Sequence, residues 1–111
     1  MKTAVFIASV GRPKKLSMAV NSVPEKYRVL VHCQDKKIDA NVPFNRKVEI
    51  SEYPNMSRND RGNLGTKKLD GYNVLCMCDD TRIFNDTIEN AERQLQEKFN
   101  GTMGICGLKA F

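Results

Sequence analysis

The stretch Gly71-Tyr72-Asn73-Val74-Leu75-Cys76-Met77-Cys78-Asp79-Asp80-Thr81 decides how the rest of the chain is read. Val74 to Cys78 is a short apolar run of the kind that forms a buried strand inside a sheet. Asp79 and Asp80 stop it. Adjacent carboxylates repel each other, so a fold gains little stability by placing them together. At the carboxyl end of a central strand they can instead hold a divalent cation. Open α/β sheets bind their ligands at that edge. Carboxylates suit Mg²⁺ and Mn²⁺, and substrate phosphates commonly complete the coordination. The same pattern also reads as a polar strand-to-helix turn whose acids cap the next helix.

Downstream of the acids comes the clearest helix. Ile88, Ala91, Leu95 and Phe99 make an apolar stripe. Asp86 and Glu89 have the spacing of a capping box, with Asp in the place of Ser or Thr. Asn100-Gly101 ends the helix, and Thr102 to Leu108 reads as a last strand.

Upstream, Thr3 to Ser9 is a nearly continuous apolar strand, as in a sheet buried on both faces. Val10-Gly11-Arg12 is a turn, and Pro13 suits the first position of a helix. Leu16, Ala19, Val20 and Val23 recur at helical spacing until Pro24 ends the segment. Tyr27 to Cys33 is a second strand, so the chain opens β-α-β with parallel neighbours. Gln34 to Asn45 reads as a loop, Val48 to Ile50 as a short strand, and Ser51 to Met56 as a connection broken by Pro54. Ser57 to Asp70 contains Gly62 and Gly65, which weaken a helix. It is expected to be a loop running into a short helix, with Leu64 and Leu69 facing inward. The order β-α-β-(β)-α-β-α-β predicts an α/β three-layer sandwich on a mostly parallel sheet, formed as a single domain over residues 1–111.

A chain of 111 residues is one domain's worth. Its hydrophobic content of 41% and charged content of 28% are those of a soluble globular protein. The formal net charge of +5 favours an anionic partner. Cys33, Cys76, Cys78 and Cys106 all lie in strand-like runs, as small buried hydrophobes of a reducing compartment do. The spacing of a zinc site is absent. His32, the lone histidine, reads as structural. The apolar run Thr3 to Val10 follows Lys2, but it is short and no small-residue cleavage site follows it. No run is long enough to span a membrane. The expected location is the cytoplasm.

Val5-Phe6-Ile7-Ala8-Ser9-Val10-Gly11-Arg12-Pro13, backed by Leu16 and Val20-Asn21-Ser22-Val23, forms one distinctive segment. Val29-Leu30-Val31-His32-Cys33-Gln34-Asp35 forms a second. Asn63-x-Gly65, Gly71-x-x-Val74 and Asp79-Asp80 form a third succession. Together these segments resemble the nucleotide-binding half of inverting GT-A glycosyltransferases of the family 2 type. The likeness spans almost the whole chain, though each motif is degenerate. Cys78 falls where that family's first Asp usually lies, and Lys36-Lys37 replace its usual small residues. In the family the acceptor site and general base lie beyond the strand matching Thr102 to Leu108, where only Lys109-Ala110-Phe111 follow here. The chain thus resembles a donor-binding half, whether a truncated piece, a minimal homologue or a relic that binds without turnover.

The resemblance implies a nucleotide-diphosphate sugar lying across the carboxyl edge of the sheet. Ala8, Ser9, Val10 and Arg12 would contact the nucleoside, and Gln34 or Asp35 the base or ribose. Asn63 would belong to the same nucleotide site. Asp80, with Asp79, would hold Mn²⁺ or Mg²⁺ against the diphosphate, lending Lewis-acid help to the leaving group. Arg58, Arg61 and Lys67 would bond phosphate, or else form a solvated basic helix face.

A second reading is a non-enzymatic basic module that binds a nucleotide or nucleic acid. The +5 charge favours it. The lack of an aromatic row among the basic residues argues against single-strand binding. The sequence argues against dinucleotide and P-loop chemistry, because neither Gly-x-Gly-x-x-Gly after the first strand nor Gly-Lys-Ser/Thr occurs. An unfinished sheet edge would also allow a homo-oligomer.

Overall fold

A computed structural model describes residues 2–9, 12–33, 44–52 and 58–99, with the backbone alone at 52, 58, 59, 61 and 99. The elements are β1 (Thr3–Ser9), α1 (Pro13–Ser22), β2 (Arg28–Cys33), β3 (Glu49–Glu52), α2 (Arg58–Lys68), β4 (Asn73–Cys78) and α3 (Thr87–Phe99). The four described strands form one sheet in the order β3-β2-β1-β4, and all neighbours are parallel.

The register explains why β1 is nearly all apolar. Val5 lies between Val29 and Leu75, and Ile7 between Val31 and Met77. A central parallel strand covered on both faces has no polar side to show. On one face Val5, Ile7, Val29, Val31 and Met77 join Leu16, Ala19 and Val20 of α1 and Ile88 of α3. On the other face Ala4, Phe6 and Leu30 join Leu69, which follows α2. The layers are thus α1 and α3, then the sheet, then α2.

Local chemistry sets the element ends. Pro13 opens α1, and the amide of Leu16 donates to the Arg12 carbonyl at 2.9 Å. A turn from Pro24 to Tyr27, closed at 3.1 Å, delivers the chain to β2. Gly71, with φ of +85°, makes the left-handed turn into β4. The lead into β3 is held by Arg46. Its Nη1 donates to the carbonyl oxygens of Val23 (2.9 Å) and Pro24 (2.8 Å), and its Nη2 donates to that of Tyr27.

Several expectations are corrected. Ser57–Asp70 is not mainly loop, because α2 occupies eleven of these residues. Gly65 is buried against Phe6, so the glycine that weakens the helix lets it lie close to the sheet. Leu69 is fully buried, while Leu64 is half-buried. Ser51 and Glu52 belong to β3 and not to a connection. β4 is not a buried strand: Met77 is buried, Val74 and Leu75 are half-buried, and Asn73, Cys76 and Cys78 are exposed. It is the outer strand among the described residues, which frees one of its flanks. Cys33 is buried as expected, but Cys76 and Cys78 reach the surface. Partial desolvation still pushes the Cys76 thiol pKa upward. The loop read from Gln34 lies outside the described residues up to residue 43, as does the strand read over Thr102–Leu108. Among the described residues no helix is long and apolar enough to cross a membrane.

Candidate functional site

The strand order locates a crevice. The chain moves from β1 outward through β2 to β3, then crosses back to place β4 on the far side of β1. The crossover through α1 lies on one face of the sheet and the return through α2 on the other. The direction of strand succession therefore reverses between β1 and β4, and the loops leaving both strands lead to helices on the same face. This is a topological switch point, where open α/β sheets take their ligands.

Two loops meet there. β1 ends at Ser9, which is fully buried and paired with Cys33. β4 ends at Cys78, paired with Ala8. The acids then occupy the centre of a tight turn, closed by the Thr81 amide donating to the Cys78 carbonyl at 3.2 Å. Consecutive turn positions send the two side chains different ways: Asp79 is 1% exposed and Asp80 is 47% exposed. Arg12 reaches over from the β1 side. Its Nη2 lies 2.6 Å from Asp79 Oδ1, and its Nη1 lies 3.6 Å from Asp80 Oδ2. One guanidinium thus spans both carboxylates, and its fork geometry suits that task.

The acids do not cap the following helix. α3 starts only at Thr87, where the Asn90 amide donates to the Asp86 carbonyl at 2.9 Å. The intervening loop is tied down separately. The Ile83 amide donates to Ser22 Oγ at 3.1 Å, and the Phe84 amide to Thr87 Oγ1 at 3.0 Å. Phe84 itself stands 64% exposed on this loop.

The expected site residues divide into three groups. Ala8, Ser9, Arg12, Asp79 and Asp80 gather at the carboxyl ends of β1 and β4. Val10, Gln34 and Asp35 lie outside the described residues. Arg61 and Asn63 lie on α2, and Asn63 is exposed with no described contact to the acids. α2 runs from the carboxyl edge back towards the amino edge, so Lys67 in its last turn lies away from the crevice end. His32 is fully buried beside the Phe6 ring, with centroids 6.5 Å apart, in keeping with a structural role.

The grip of Arg12 on the acids was not visible in the sequence. Its only signals were opposite charge and a shared strand edge, and the second needs the strand order. Phe84 carried no signal beyond being an aromatic in a polar loop.

A divalent cation can be tested against this donor set. Among the described residues no cluster of three or more His, Cys, Asp or Glu side chains forms a ready-made cage. Two carboxylates at a strand end suit Mg²⁺ or Mn²⁺ when phosphate and water complete the shell. Asp80 is open to serve as a first ligand. Asp79 is buried and held by Arg12 at 2.6 Å, so it could serve as a second ligand only with that contact broken. With that condition, the residues fit.

No protein-family model matches the sequence, and no curated protein does. Solved structures do match. S. aureus TarS superposes with a TM-score of 0.65 and 22% identity, over 89% of this chain and 20% of that one. The fold is GT-A-like. S. aureus TarS 1-349 gives a TM-score of 0.65 at 20% identity, over 96% of this chain and 39% of that one. TarS 1-349 in complex with UDP-GlcNAc gives 0.64 at 22%, over 87% and 32%. The chain therefore spans between 20% and 39% of the TarS chains it matches. At these identities the likeness establishes the GT-A-like fold expected from the sequence, and no particular glycosyltransferase family.

Proposed function

We propose that this chain binds the donor of a glycosyl transfer, a nucleoside-diphosphate sugar lying across the carboxyl edge between β1 and β4. The observation that carries the reading is the meeting of Arg12, Asp79 and Asp80 at the switch point of a GT-A-like sheet. TarS is a glycosyltransferase, and one of its matching structures is a complex with UDP-GlcNAc, which supports the choice of ligand class.

In this reading each residue has a physical task. Asp80, with Asp79, would hold Mg²⁺ or Mn²⁺. When bound, such an ion offsets negative charge on the departing nucleotide. Arg12 supplies a forked donor for phosphate oxygens. Buried Ser9 and half-buried Ala8 form the floor beneath the nucleoside. Exposed Phe84, on the loop that follows the acids, offers an apolar ring. The net charge of +5 favours approach of the anionic donor.

Calorimetric titration of UDP and of GDP, each with and without Mn²⁺, tests the proposal. Binding that requires the metal is expected. It is lost in Asp80→Ala while circular dichroism shows the fold retained. If neither nucleotide binds under any condition, the donor reading is wrong. Salt-dependent oligonucleotide binding would then test the basic-module reading.

A further inference from the structure

Arg12 occupies the place between two carboxylates that a metal ion would need. Asp79 is 1% exposed, and a carboxylate that deep is stabilised by a cation held close by. Arg12 provides one at 2.6 Å and extends to Asp80 at 3.6 Å. Yet Arg12 is itself 42% exposed, so its head can leave without unpacking the core. Its backbone stays fixed meanwhile, because its carbonyl accepts the first helical bond of α1 at 2.9 Å and Pro13 follows. Arg12 is thus anchored at its backbone and partly exposed at its charged end.

Charge then limits what the pair can accept. The two carboxylates and Arg12 together carry a single net negative charge. A divalent ion entering with Arg12 in place would face a like charge inside the same few ångströms. A diphosphate changes the balance. It offers the guanidinium an alternative forked partner at least as favourable as a carboxylate. Once Arg12 turns to phosphate, its positive charge no longer offsets the negative charges of Asp79 and Asp80, and the pair favours a divalent cation.

We propose that Arg12 is the resident counter-ion of the acidic pair and is exchanged during donor binding: the diphosphate draws Arg12 off Asp79 and Asp80 and thereby opens them to a divalent cation. The nucleotide half of this exchange rests on the donor reading above. The metal half rests only on the geometry of Arg12, Asp79 and Asp80. Nucleotide and metal are then coupled beyond direct chelation, and by linkage each strengthens the other equally. In the absence of nucleotide, Arg12 keeps the pair closed to stray divalent ions.

The test uses the whole chain and Mn²⁺ alone as the first probe, with free Mn²⁺ read by electron paramagnetic resonance. Arg12→Gln removes the charge and keeps a polar side chain. It is expected to bind bare Mn²⁺ about tenfold more tightly than the wild type, within the usual range of such couplings. Adding UDP should strengthen Mn²⁺ binding by a larger factor in the wild type than in Arg12→Gln. The two factors should differ by the bare-metal gain. Arg12→Lys keeps one charge but cannot fork across both acids, so its bare-metal affinity should fall between the two. It also serves if the Gln variant fails to fold. Bare Mn²⁺ affinity that is unchanged or weaker in both variants overturns the proposal. If UDP and Mn²⁺ bind the wild type but Arg12 has no influence on either, the donor reading stands and the exchange falls. If the bare-metal gain appears and no form binds UDP, the donor reading falls and takes the nucleotide half of the exchange with it. The hold of Arg12 on the acidic pair then stands alone.

Discussion

Gly65 lies directly against the ring of Phe6: a Cβ at position 65 would come within 2.5 Å of two ring carbons. Phe6 is 4% exposed in the middle of β1, so its ring cannot step aside. Gly62, one turn earlier on the same helix, faces open space, and a Cβ added there would meet nothing within 4 Å. The same substitution should therefore have opposite signs at the two sites. Gly65→Ala combines an overpacking cost of about 1–3 kcal/mol with a smaller helix-propensity gain, and is expected to destabilise. Gly62→Ala has only the gain, up to about 1 kcal/mol. Urea midpoints of both variants decide this. Equal shifts would mean that α2 does not rest on Phe6.

Arg46 gives a second, longer-range prediction. It donates to the carbonyl oxygens of Val23, Pro24 and Tyr27, tying the entry of β3 to the turn before β2. Burial lowers its pKa, which marks the desolvation that these bonds offset. Arg46→Ala leaves several partly buried carbonyls without a donor and should cost about 2 kcal/mol. Arg46→Lys should recover less than half of that, because one ammonium cannot serve carbonyls on both sides of a planar fork. Thermal unfolding of the two variants is the check. Full recovery by Lys would show that charge alone matters there.

These two residues also show where sequence reading stops. β1 was legible to the residue, because a run buried on both faces leaves no polar position to blur its ends. The start of α1 was legible from Pro13. The full length of α2 was not, because a contact that seats it on the sheet is made by a glycine, which carries no hydrophobic signal. β4 read as buried because apolarity was counted without knowing that the strand is outermost among those described. At the candidate site the acids were visible as residue types. Their unequal burial was not, because it depends on the turn that separates their side chains. The Arg12 pairing needs the crossing that brings β4 beside β1, and composition and periodicity hold no record of that crossing.

Arg28 and Glu49 make a forked pair at the amino edge, with Arg28 Nε 2.5 Å and Nη2 2.8 Å from the two carboxylate oxygens. The hydrogen bonds from Arg28 hold the Glu49 pKa below the ordinary carboxylate range, aided by the charges of Arg28, Lys47 and Lys68. A carboxyl group whose pKa is lower folded than unfolded stabilises the fold fully above the unfolded value, about 4.3 for glutamate. That contribution is lost as pH falls through the folded value. Arg28 remains charged throughout and adds no second limb. Both side chains are substantially exposed, so the contribution is at most about 1 kcal/mol and screened by salt. The stability gap between wild type and Glu49→Gln should be constant near neutrality and close on acidification. Urea midpoints across a pH series measure it, and a gap that holds constant into acid would remove Glu49 as its source.

The pair Arg12 and Asp79 should show strong energetic coupling in the folded chain, independent of any ligand. Arg12→Gln leaves the carboxylate of Asp79, 1% exposed, without the cation 2.6 Å away. Removing one partner of a fully buried pair costs about 3–5 kcal/mol. Arg12 is 42% exposed, and solvent reaching that side reduces the expected cost to about 2 kcal/mol. Asp79→Asn removes the charge and leaves Arg12 free to hydrate, so it should cost less. Adding Asp79→Asn to Arg12→Gln removes the uncompensated charge and should restore about 1 kcal/mol. A double-mutant cycle by urea unfolding measures this directly. If the second substitution only adds to the damage of the first, the ion pair is incidental to stability, and the burial of Asp79 is sustained by its other contacts.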